Sequence, residues 1–109
     1  MLRNIWILLA FLSAPAFADP GLDAIRTLGR LNGEALACGQ MALVDRIRIT
    51  VVHGAPKTRE VGETFEAATS ERFLALGKDK SACPDGRKLS DLIESAIQAM
   101  HKAFAEQLK

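Results

Sequence analysis

Two cysteines, two histidines, a row of glutamates and a cluster of basic residues are the side chains in this 109-residue chain whose types and spacing could carry chemistry. Cys38 and Cys83 are the only cysteines. They are too far apart for a Cys-x-x-Cys redox pair, and neither has a sequence neighbour suited to act as its base, which a thiol nucleophile needs. Two cysteines in one small domain allow one intramolecular pairing, so the expectation is a structural disulfide, Cys38 to Cys83. His53 and His101 have no Cys, Asp or Glu at ligand spacing, and a metal site would have to gather its ligands from distant segments. Glu60, Glu63 and Glu66 recur every three residues, with Glu71 further on. Paired carboxylates do acid–base work only where their surroundings push their pKa values apart. These lie opposite Val61 and Phe65, as on a solvated helix face.

Arg46, Arg48, Lys57 and Arg59, with His53 among them, form the densest local excess of positive charge. They are the candidate contact for an acidic partner protein, or for phosphate groups at a membrane surface. There is no Ser-His-Asp ordering, glycine-rich phosphate loop or metal motif. The expectation is therefore a non-enzymatic protein that uses no cofactor and no metal.

Helices must position these groups. Ile25, Leu28, Leu31, Ala35 and Cys38, then Met41, Val44, Ile47 and Val51, step by three and four through a segment from Leu22 to Val52. Gly29, Gly33 and Gly39 weaken it, which predicts a kink or break near Cys38 and Gly39. Ile47-Arg48-Ile49-Thr50-Val51 also alternates with period two and is rich in β-branched residues, so helix and strand both stay open over residues 46–52. His53-Gly54-Ala55-Pro56 ends the segment. A helix from about Lys57 to Leu76 follows, with Val61, Phe65, Ala68 and Phe73 facing inward. Cys83-Pro84-Asp85-Gly86 opens the last helix, whose stripe is Leu89, Leu92, Ile93, Ala96, Ile97, Met100, Phe104 and Leu108. The fold class is all-α: a small three- to four-helix bundle with one disulfide. Gly29, Gly33 and Ala37 make a smooth face suited to close packing within the bundle, or else to a homodimer.

The first eighteen residues read differently. Arg3 and an apolar run from Ile5 to Leu12 precede Ala16-Phe17-Ala18, the pattern of a secretory signal peptide cut after Ala18. The apolar stretch is shorter than the ~20 residues a spanning helix needs, so residues 1–18 are expected to be the signal and 19–109 the helical domain, with no membrane span after cleavage. Removing Arg3 leaves the mature chain with equal numbers of basic and acidic residues. That balance gives no footprint for nucleic acid. Without Trp or Tyr, its aromatic residues are Phe65, Phe73 and Phe104, all expected in the core, and this argues against sugar or nucleotide platforms. A periplasmic or secreted location favours the disulfide.

In size, and in placing Cys38 about twenty residues into the mature chain and Cys83 just before the last helix, the sequence resembles the small periplasmic acid-stress chaperones. That resemblance implies a protein that binds unfolding clients in acid. The segment Leu31-Asn32-Gly33-Glu34-Ala35-Leu36-Ala37-Cys38 is similar to one in helical periplasmic immunity proteins against type VI secreted amidases. There Gly33 stands where that family has an aromatic, and Cys83 comes earlier than its second cysteine. This second resemblance implies an inhibitor of an envelope-acting enzyme. Beyond the cysteines, neither carries a functional residue across. The function expected from the sequence is binding a protein partner or client.

Overall fold

The computed structural model describes residues 19–108. Among them are four α-helices: α1 (Pro20–Ala37), α2 (Met41–Gly54), α3 (Arg59–Gly77) and α4 (Gly86–Gln107). A 3-10 turn spans Lys80–Ala82, and there is no strand. Local chemistry sets the ends. Asp19, Thr58 and Asp85 are the N-caps of α1, α3 and α4, each accepting a backbone N–H from three residues on, in Leu22, Val61 and Lys88. Such caps satisfy amides that the first helical turn leaves without partners. The expected break falls at residues 38–40. Gly39 takes the left-handed conformation (φ +73°), which lets its amide bond Leu36 and the Gln40 amide reach back to the Ala35 carbonyl, 2.8 Å away. This Schellman turn ends α1 cleanly and redirects the chain into α2.

Residues 46–52 are helical. Val44, Ile47 and Val51 point into the core, and the Thr50 hydroxyl donates to the Arg46 carbonyl. The alternating pattern could have supported a strand only beside another strand edge, and the described chain offers none.

α1 is the centre of the bundle, packing on α2, α3 and α4, while α2 also meets α4. α2 and α3 flank α1 with at most marginal contact with each other. Ile25 and Leu28 of α1, Val44 and Ile47 of α2, and Leu89, Ile93 and Met100 of α4 are its fully buried large side chains. α3 joins differently. A Cβ built on Gly29 would stand 2.7 Å from the Phe65 carbonyl oxygen, and one on Gly33 2.9 Å from the Phe73 amide. The smooth face of α1 is therefore spent on close packing within the chain, against the α3 backbone.

Three apolar residues expected inward turn outward. Phe73 is 44% exposed, because the inward position one residue earlier is held by Arg72, which ion-pairs with Glu34 on α1 at 2.8 Å. Leu92 sits at the edge of the α4 stripe and Leu108 beyond its end, both exposed. Of the three aromatic rings expected in the core, Phe104 is buried and Phe65, partly buried, packs against the edge of the core cluster. The Cys38–Cys83 disulfide is present, with Cα atoms 5.8 Å apart, joining the end of α1 to the approach to α4. No described helix is long and apolar enough to cross a membrane. The signal peptide expected over residues 1–18 lies outside the described residues.

Candidate functional site

The basic cluster divides once folded. Arg46 turns to α4, where its guanidinium ion-pairs with Glu94 and approaches Ser90. It ties α2 to α4. Arg48 and His53 stay on the outer side of α2, exposed, while Lys57 and Arg59 lie exposed beyond the helix end. Glu60, Glu63, Glu66 and Glu71 are all exposed. No group of three His, Cys, Asp or Glu side chains is placed to hold a metal ion among the described residues.

What surrounds Arg48 was only partly visible in the sequence. Met41, Ile49 and Val52 are 54%, 60% and 57% exposed, and with Asp45, Arg48 and His53 they make up the outward side of α2. Ile49 and Val52 are one turn apart and therefore neighbours. The helix thus buries one apolar line, Val44, Ile47 and Val51, and shows a second to solvent.

Beside this face the separation of α2 from α3 leaves a cleft of about 410 Å³ along α1. Asn32 and Leu36 of α1 contribute to it, with Val44 and Arg48 from α2 and Phe65, Glu66, Thr69 and Ser70 from α3. Arg48 belongs both to this cleft and to the shallow depression formed by Asp45, Ile49, Val52 and His53, so the two surfaces are continuous.

Asn32 is the distinctive group in the cleft. It is 3% exposed, the one buried polar residue among the core positions. Its Nδ2 donates to Thr69 Oγ1 at 3.2 Å, and that hydroxyl donates in turn to the Gly29 carbonyl at 3.0 Å. This chain of bonds fastens α1 to α3. Asn32 Oδ1 accepts no hydrogen bond from the protein. A buried acceptor left without a donor costs about 1–3 kcal/mol, so Asn is an expensive residue at this place. Its position continues the inward steps Ile25, Leu28 and Ala35, and a polar residue in that line was the sequence signal that could have singled it out. Glu66 and Ser70 gave no such signal. They join the site only because α3 leaves room beside α2.

A second groove, between the start of α1 and the end of α4, has a similar volume of about 420 Å³. Its lining of Pro20, Asp23, Ala24, Thr27, Ala99, Lys102, Ala103 and Glu106 includes no buried polar side chain, and Asp23 is already paired with Arg26. The Asn32 cleft is therefore the better candidate. Set against protein-family profiles, curated proteins and solved structures, the chain finds no match.

Proposed function

We propose that this protein works outside the cytoplasm as a non-enzymatic module that binds a partner protein through the outer side of α2 and the adjoining cleft. The observation that carries this reading is the exposure of Met41, Ile49 and Val52 on one helix, around the charged Arg48. Single exposed apolar residues are ordinary, whereas a grouped apolar surface with a polar rim marks an interaction site. The rim favours an acidic partner: Arg48 and His53 stand on α2, and Lys57 and Arg59 follow its end.

The groups around the cleft suit holding more than reacting. They are an amide, a guanidinium, hydroxyls and one exposed carboxylate. Export is supported by the signal-like residues 1–18 and by the disulfide, which persists in oxidising compartments.

Affinity purification from the extracytoplasmic fraction of the native host tests the whole reading. The recovered chain is expected to begin at Asp19 by intact mass. It should carry a stoichiometric partner, and an Ile49→Glu chain of unchanged helical content should lose it. Equal retention by wild type and variant would remove the α2 surface from the function, and recovery of an unprocessed cytoplasmic chain would remove export.

A further inference from the structure

We infer that the cleft between α1, α2 and α3 is a pocket for an apolar side chain on an acidic peptide segment, with Asn32 reserved for a hydrogen bond from that segment. The inference rests on the reading that the protein binds a protein, and deepens it by assigning the chemistry of what enters.

Three features of the cleft define the occupant. Leu36, Val44 and Phe65 give it an apolar lining from three different helices, enough to surround one side chain. Asn32 Oδ1 is a hydrogen-bond acceptor without a protein donor in an otherwise apolar line of α1. If its role were structural alone, Nδ2 would be the working half of the amide and Oδ1 only a cost. Oδ1 has almost no free surface in the unbound chain, so an entering segment has to open the cleft slightly for its peptide N–H to meet that need. The third feature is charge. The ion pairs among the described residues are Arg26–Asp23, Arg46–Glu94 and Arg72–Glu34, which leaves Arg48 unpaired at the α2 wall. A carboxylate next to the apolar anchor can pair with it, and a lysine there would be repelled. Glu66, on the α3 wall, requires the acidic residue to lie toward α2.

The test uses the purified, 15N-labelled protein and two blocked nonapeptides sharing a Leu-Phe centre, one flanked by glutamates and the other by lysines. The glutamate peptide is expected to move the Asn32 side-chain amide and the Arg48 Nε–H resonances saturably, with a Kd at least about tenfold below that of the lysine peptide. Arg48→Glu, an exposed substitution, should reverse the preference. Asn32→Leu should leave the melting temperature near that of the wild type, because losing the orphaned acceptor offsets losing the Nδ2 bond to Thr69, and still weaken glutamate-peptide binding about tenfold or more. Equal affinity for both peptides, or wild-type affinity in Asn32→Leu, would overturn the inference. So would binding that shifts Ile49 and Val52 while leaving Asn32 unmoved, although partner binding through α2 would then stand. Saturable shifts at Asn32 without a co-purifying partner would spare the pocket and sink the broader reading.

Discussion

At the scale of the residue, glycines with the same backbone preference have opposite worth. Gly33 lies where α3 passes so closely that a methyl group would run into the Thr69 carbonyl and the Phe73 amide. Backbone cannot move aside as a side-chain tip can, so Gly33→Ala should destabilise the fold by about 1–3 kcal/mol, as overpacking does. Gly62, on the exposed side of α3, has open space where its Cβ would be. There the same change should add roughly 0.5–1 kcal/mol by removing the cost of an ordered glycine. Urea unfolding of the two variants checks the opposite signs, and a loss of stability at both positions would mean that helix packing is not what separates them. The spacing of Gly29 and Gly33 was readable in the sequence, but which helix would meet them was not, since that depends on α3 folding back along α1. Asn32 was legible as a residue and hidden as a site for the same reason: its orphaned oxygen exists only once Thr69 has taken the other half of the amide.

At the scale of the element, periodicity placed the helices well because burial enforces it. Leu89, Ile93, Ala96, Ile97 and Met100 follow the helical repeat and all are buried. The pattern misled where a polar residue took an inward place: Arg72 reaches Glu34, and Phe73, one step around the helix, faces out. In α2 the β-branched alternation was ambiguous locally and was resolved by its neighbours, since α1 and α4 present helical faces that Val44, Ile47 and Val51 can match. The disulfide also acts between elements. It closes a separation of 45 residues and ties the end of the glycine-containing α1 to the approach to α4, the longest helix. On the chain-entropy account this is worth about 4 kcal/mol. Reduction, or the pair Cys38→Ser with Cys83→Ser, should lower the unfolding free energy by about that amount, and an unchanged denaturation midpoint would show that the link contributes little.

At the scale of the molecule, the bundle is organised around one helix, and its three neighbours do not close a ring about it, because α3 packs only on α1 among the other described helices. α1 touches each of the others, and the gap between α2 and α3 is what creates the cleft. Composition and hydropathy could not show this gap, because neither wall carries in its own pattern which helices it will pack against. The covalent topology of that arrangement has a practical meaning for proteolysis. Both α2 and α3 lie inside the span closed by Cys38 and Cys83, and the exposed Lys57 stands in the connection between them. Limited digestion with a lysine-specific protease that cuts there should leave one half carrying Cys38 and the other Cys83. The nicked protein should migrate as a single species on a non-reducing gel and separate into two bands once a reductant is added. Separation without reductant would contradict the pairing. Should this connection be cut in an oxidising compartment, the protein would remain whole in mass, with α2 and α3 free to move apart at the mouth of the cleft they border.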